Sequence, residues 1–179
     1  GAPLAFTYHH NKQEAYLAAG MAILDAGFTC TASLPCPAEM GGSIHISGTG
    51  SSIVDTIFVC RRDGIVPAQW NFKNAHELGA IMRNELTQLV SAGMKPTAGD
   101  IRCIAYGHII RMAINNLRAG WDVSLPTGAK LNAIKVAMNA IALLDEVRVA
   151  LEETAPTASP MSRPIKHQQP LEFHNAATL

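Results

Sequence analysis

The chain has 179 residues, of which 48% are hydrophobic, which is enough to bury a sizeable core in one domain with or without an appended subdomain. Its 14 Lys and Arg residues balance 14 Asp and Glu residues, which excludes a net field that would draw the whole chain to nucleic acid or an anionic membrane. The longest apolar stretches, such as residues 133–144, carry interruptions at Lys135 and Asn139 and are too short to span a bilayer. We therefore expect a folded protein that is not inserted in a membrane.

The four cysteines, Cys30, Cys36, Cys60 and Cys103, are scattered without any C-x-x-C spacing. This pattern predicts neither a zinc site nor a disulfide framework, and it favours reduced, buried thiols in a cytoplasmic protein. The chain opens at Gly1 with no initiator Met and no secretory signal, so we interpret that start as internal to a longer protein.

The chain begins with a predicted strand and helix. Residues 4–8 are apolar and β-prone, and at Asn11, a residue suited to capping, the pattern changes to helical spacing. The helix is predicted to end at Ala26, because Gly27 can adopt the left-handed conformation that stops helices.

Two further strands are predicted before residue 66. Residues 29–34 are β-prone, and Pro35 and Pro37 then exclude a central continuation of that strand. Residues 53–60 form the next β-prone run. The first part of the chain is thus predicted to have β-α-β-β order, within an α/β domain at residues 1–66.

The rest of the chain has helical periodicity up to residue 153. Three apolar seams predict three helices: Leu78 to Leu89, Ile101 to Met112, and Leu131 to Leu151. Thr97 and Asp100 fit a capping box before the second helix. We therefore expect a helical subdomain at residues 67–153.

From residue 154 four prolines recur among polar residues and no apolar period survives. Residues 154–179 are therefore predicted to be an extended Pro-rich tail.

Histidines follow the first strand at its carboxyl end. Because ligands in open α/β sheets collect beyond the carboxyl ends of strands, His9 and His10 are candidates to frame a pocket, with Glu39 as a carboxylate that could fold back to them. The structural alternative is a polar strand end with helix-capping duties. Neighbouring strand residues point to opposite faces, so we predict no metal site, and no catalytic residue stands out.

Several short segments resemble the closing part of adenine-specific DNA methylases. These are residues 4–10, LAFTYHH; residues 26–28, AGF; residues 31–35, TASLP, followed by Glu39; and residues 55–62, DTIFVCRR. In the class I methyltransferase fold, which is the architecture that the resemblance implies, they correspond to the fifth strand, its helix, and the sixth and seventh strands.

The resemblance implies methylation of adenine N6 in DNA with S-adenosylmethionine as the methyl donor. The Gly-rich cofactor loop and the Asp-Pro-Pro-Tyr motif of the family would lie before Gly1. The chain alone is therefore expected to be inactive and to bind no cofactor, to meet DNA through the full-length protein, and to dimerise through exposed sheet edges when isolated.

Two other functions remain open at this stage. The chain could be a free-standing α+β module that dimerises or binds a protein partner without catalysis. It could also be a DNA-contacting helical domain, for which affinity should fall steeply with salt.

Overall fold

The computed structural model describes residues 2–10, 12–38, 53–62 and 71–153. Within them lie three strands and five helices in the order β1 (Leu4–Tyr8), α1 (Gln13–Asp25), β2 (Thr29–Pro37), β3 (Val54–Arg61), α2 (Ala75–Ser91), α3 (Ala98–Arg118), α4 (Thr127–Ile141) and α5 (Leu144–Glu153). The predicted mixed α/β class is confirmed. None of these described helices combines the length and the apolar character that crossing a bilayer requires.

Some predictions fall outside the described residues. These are the capping role of Asn11, the position of Glu39, the boundary between residues 66 and 67, and the tail at residues 154–179. The division into domains therefore stays a prediction. Among the described residues, one apolar core contains side chains from both predicted domains, including Phe58 of β3 and Ile104 of α3.

The sheet has the strand order β1-β3-β2, and β3 is antiparallel to both neighbours. Leu4 of β1 and Cys30 of β2 both face Cys60 of β3 across the ladder. Because both outer strands run opposite to β3, β1 and β2 are parallel to each other. Helix α1 connects them, so the predicted β-α-β-β order folds with the last strand between the first two.

Strand β2 continues through both of its prolines and ends at Pro37, three residues beyond the predicted end at Leu34. Among the described residues β2 pairs with β3 alone, so its backbone needs hydrogen-bond donors on one side. Proline is tolerated on such an edge strand, whereas it would remove a ladder hydrogen bond from a central strand. The prolines therefore indicate that β2 is an edge strand, and they do not mark its end.

Helix α3 is the central element of the fold. It has 21 residues, most of which are buried, and it packs against β2, β3, α1 and α4. At Gly107 it comes close to the sheet, since a Cβ atom there would lie 2.7 Å from Ser33 Oγ and 2.9 Å from Thr56 Cγ2. A larger residue fits this contact only if those side chains or the helix shift.

Local signals place the helix ends correctly. Gly27 and Gly93 have the left-handed φ values of 77° and 84°, as expected for residues that end helices. The capping box is also confirmed, since the Thr97 side chain accepts from the Asp100 N–H and the Asp100 side chain accepts from the Thr97 N–H.

The predicted third helix of the second half is wrong, because its apolar seam covers two helices. Helix α4 ends at Ile141, Ala142 is extended, and α5 starts at Leu144. The second half thus has four helices among its described residues, instead of about three. The break lets α4 pack on α1 and α3 while α5 packs on α2. No Gly or Pro marks it, and the Glu146 carboxylate accepts the Leu143 N–H at 3.0 Å.

Hydrogen bonds join the C-terminal end of α1 to the connection between α3 and α4 and to the first turn of α4. Asp25 accepts hydrogen bonds from Trp121 Nε1 at 2.9 Å and from Lys130 Nζ at 3.0 Å. These two donors hold the pKa of the Asp25 carboxyl below its ordinary value, with the Trp121 hydrogen bond as the larger cause. The contact fixes α1 against the helical half at the end remote from His9.

We predict that Gly107→Ala destabilises the protein by about 1–3 kcal/mol, because the added methyl group forces α3 away from Ser33 and Thr56. The matched control is Gly128→Ala in α4, where a Cβ meets no atom within 4 Å and the alanine should leave stability unchanged or raise it by up to about 1 kcal/mol. Urea unfolding measures both changes. Equal stability of Gly107→Ala and the wild type would contradict the close contact.

Candidate functional site

The candidate site lies where β1 ends and β3 begins. His9 and His10 follow β1 at its carboxyl end. Because β1 and β2 are parallel, the carboxyl end of β2 lies at the same edge of the sheet, where the Ala38 N–H donates to the Ile53 carbonyl oxygen at 2.9 Å. Glu39 comes next in the chain, and its own position is outside the described residues.

His9 points toward the first residues of β3. Its Nδ1 atom lies 3.0 Å from the Val54 carbonyl oxygen and 3.5 Å from Asp55 Oδ1. Both partners are acceptors, so Nδ1 carries the hydrogen, and in the neutral ring Nε2 is left as a hydrogen-bond acceptor. The side chain is 36% exposed. His9 can therefore present an oriented hydrogen-bond acceptor at the end of the sheet where β1 finishes and β3 begins.

His10 turns back toward α1. Its Nδ1 atom accepts the Lys12 N–H at 3.0 Å, one residue before the helix begins. This contact satisfies a backbone donor near the helix N-terminus, where the helix itself offers no acceptor. The helix-capping interpretation thus applies to His10, and the structure does not turn the two imidazoles toward one point. Among the described residues no group of three His, Cys, Asp or Glu side chains could hold a metal ion.

Cys103 of α3 joins this junction from the interior. Its thiol donates to the His10 carbonyl oxygen at 3.3 Å, and its sulfur lies 3.7 Å from His9 Nδ1. In a nucleophilic cysteine site the imidazole uses one nitrogen for the thiol and the other for the carboxylate. Here Cys103 and Asp55 lie on the same nitrogen, and Cys103 is fully buried. The arrangement holds His9 in place and is not that of a nucleophile.

Asp100 fixes the start of β3 beside His9. Its Oδ1 atom accepts the N–H groups of Ile53 at 2.7 Å and Val54 at 2.9 Å, while Oδ2 accepts the Thr97 N–H. The side chain is fully buried. The capping box predicted the local half of this role, but the contact with β3 spans more than forty residues of sequence and has no local signal.

Two tyrosines next to the junction remain neutral. Tyr8 donates from its hydroxyl to the Ala15 carbonyl oxygen at 3.0 Å, and Tyr16 packs edge-on against the Tyr8 ring. Burial is the main cause that raises the pKa of each hydroxyl, and the nearby Cys103 thiol adds to the effect at Tyr16. They can therefore donate hydrogen bonds but cannot act as bases near neutral pH.

A second polar cluster lies between α2 and α3. His108 is buried and its Nε2 atom lies 2.8 Å from Glu85 Oε2. The Arg111 guanidinium lies over the Phe72 ring at 5.8 Å from the centroid. Burial lowers the pKa of Arg111, and Glu85 is among the groups that oppose this shift. The cluster is enclosed, so it serves the packing of α2 on α3.

Neither of two grooves among the described residues has the setting of an S-adenosylmethionine site. A groove of about 570 Å³ between α2 and α5 contacts Leu86, Ile101 and Leu151, and one of about 420 Å³ lies between α3 and α5. Both are among helices and have apolar floors, whereas a cofactor of an open α/β sheet binds beyond the carboxyl ends of its strands. The turn after β1 carries two histidines and no glycine. No step of methyl transfer follows from these residues.

We predict that Asp100→Asn destabilises the protein by about 2–4 kcal/mol, because an amide cannot accept three backbone N–H groups as the carboxylate does. The Ile53 and Val54 amides should also exchange their hydrogens faster. The control is Asp145→Asn on the exposed side of α5, where we expect a loss below about 1 kcal/mol. Urea unfolding and amide hydrogen exchange measure the two effects. Unchanged exchange at Ile53 and Val54 would show that Asp100 does not hold β3.

No model of a protein family, no curated protein and no solved structure matches this chain.

Proposed function

We propose that this chain is the C-terminal segment of an S-adenosylmethionine-dependent, adenine-specific DNA methylase of the cytoplasm. In this proposal a preceding part of a longer protein supplies the cofactor loop and the catalytic motif. The segment completes the sheet and frames the pocket with His9, His10 and Glu39. DNA is bound through the full-length protein, and the segment alone is inactive.

The observation that carries the proposal is the order of the strands. Strand β1, helix α1 and strand β2 form a parallel crossover unit, and β3 then inserts antiparallel between the two strands. The resemblance assigns these elements to the fifth strand, its helix and the last two strands of a class I methyltransferase. Parallel crossover units are the building blocks of doubly wound sheets, so the arrangement fits one end of a larger sheet.

The free edge of β1 also supports the proposal. Among the described residues β1 pairs with β3 alone, so its other edge presents backbone groups that are not paired within the sheet. The strand carries no charged residue, and Leu4, Ala5 and Thr7 are exposed. Proteins normally protect such an edge by charge, proline or a neighbouring strand. A strand from the preceding part of the protein would provide that neighbour.

The face of the sheet opposite α3 also supports the proposal. Helix α3 covers the face that carries Phe58, while Ile57 and Val59 point to the opposite face and are half-buried. Parallel sheets in α/β proteins are covered by helices on both faces. In the proposal, helices of the preceding part of the protein cover Ile57 and Val59.

The test is S-adenosylmethionine binding by isothermal titration calorimetry, with this chain and with a longer protein extended upstream along its gene. We expect binding by the longer protein and none by this chain, together with transfer of a labelled methyl group to adenine in DNA. Binding by neither protein contradicts the proposal. Binding by this chain alone would mean that the cofactor site lies within it.

Within the longer protein, His9→Ala should lower kcat/KM of methyl transfer about tenfold, the value of one hydrogen bond lost from the wall of the pocket. The matched control is His76→Ala, because His76 is exposed on α2. The control should keep the wild-type rate. Equal rates for all three proteins would show that His9 does not frame the pocket. The methylase proposal would still be tested by the calorimetry.

A second candidate, the dimerisation module, is favoured by the same uncharged β1 edge. Two copies could pair their β1 strands into one continuous sheet. In this case the chain is dimeric by sedimentation, and Ala5→Lys makes it monomeric because the edge then carries a charge. Val136→Lys, at an exposed position of α4, is the control and should leave the dimer intact. A monomeric wild-type chain would exclude this candidate.

A further inference from the structure

Two cysteines face each other across the sheet. Cys30 of β2 and Cys60 of β3 are direct partners in the antiparallel register, and both are fully buried under α3. Facing residues of antiparallel strands have Cα atoms about 4.5–5.5 Å apart, which lies within the span that a disulfide bridges. Both thiols are reduced in the structure. The backbone therefore already holds the two Cα atoms at a separation that a disulfide could span.

The surroundings make one of these thiols the more acidic. The Cys30 thiol hydrogen can point to the Ala32 carbonyl oxygen, 3.3 Å away, or to the Cys60 sulfur. The hydrogen bond from Cys30 lowers the pKa of Cys60 and raises that of Cys30. The Arg111 guanidinium on α3 lowers the pKa of Cys30 by its positive charge, but this effect is smaller than those of the Cys60 hydrogen bond and of burial, which raise it. Cys60 is thus the thiol that ionises first, and Cys30 keeps its hydrogen.

The pair lies where the ladder can open. Cys30 is the second residue of β2, and Cys60 is the last but one of β3. The register is interrupted by a bulge between Cys30 and Ala32. Strand ends and edge strands open at a lower free energy than the middle of a sheet. A small oxidant can therefore reach the pair by local opening, although both thiols are buried in the closed state.

We propose that Cys30 and Cys60 form a redox-modification site that a hydroperoxide converts to a disulfide. The Cys60 thiolate attacks the peroxide, which yields Cys60 sulfenic acid and an alcohol or water that takes up the released proton. The Cys30 thiol then attacks the sulfenic sulfur, the new S–S bond forms, and water leaves. Two thiols are oxidised and one peroxide bond is reduced. This site does not depend on the proposed methylase function.

The other two cysteines have different neighbours. Cys36 faces Asp55 in the register, and Cys103 lies on α3, where its thiol donates to the His10 carbonyl oxygen. Neither therefore faces a second cysteine across the sheet. Oxidation of the folded chain should accordingly produce the Cys30–Cys60 disulfide in preference to any other.

The experiment treats the reduced, folded chain with hydrogen peroxide and maps its peptides without reduction. We expect a cross-linked peptide pair that contains Cys30 and Cys60 and has lost two hydrogen atoms. The product should melt about 5 °C or more above the reduced chain, because the disulfide restricts the unfolded state. Dithiothreitol should reverse both changes.

Cys30→Ala and Cys60→Ala should each abolish the cross-link, while Cys36→Ala and Cys103→Ala should retain it. The wild-type peptide map is decisive even where a variant fails to fold. A folded chain whose Cys30 and Cys60 remain reduced, under peroxide that oxidises the urea-unfolded chain, overturns the proposal. A disulfide that joins any other pair overturns it as well.

Discussion

The close approach of α3 to the sheet is the contact on which the other elements depend. At Gly107 the helix backbone comes so near to Ser33 and Thr56 that a side chain fits between them only if those residues or the helix shift. Most residues of α3 are buried, and the helix is the common partner of the sheet, α1 and α4. A shift of α3 would therefore disturb the whole core, since the helix touches elements from both halves of the chain.

Asp100 connects α3 to the candidate site through hydrogen bonds. It stands in the first turn of α3 and accepts the backbone N–H groups at the start of β3. The Val54 carbonyl oxygen then holds His9. The position of an imidazole at the sheet edge is thus fixed by a helix that lies more than ninety residues later in the chain. A pocket framed in this way needs the helical half for its shape, whatever part of the protein supplies its chemistry.

Local signals in the sequence predicted most of the elements but little of the site. The helix ends at Gly27 and Gly93 and the capping box follow from interactions within a few residues, whereas the end of β2 depends on its position as an edge strand. The break between Ile141 and Leu144 could not be predicted, because the apolar seam continues through it and the packing of α5 on α2 decides it. The partners of His9 and the Cys30–Cys60 pair depend on strand register, which only the assembled fold determines.

The late position of α3 in the sequence also affects how the chain folds during synthesis. The strands are complete once residue 61 has been made, but the helix that covers them ends at Arg118. At about 5–20 residues per second, the ribosome leaves the apolar face of the sheet without its cover for several seconds. During that interval the nascent strands have an uncharged edge and an open face, which are the features that chaperones bind and that lead to aggregation. Production of this chain should therefore depend on chaperone supply more than its small size suggests.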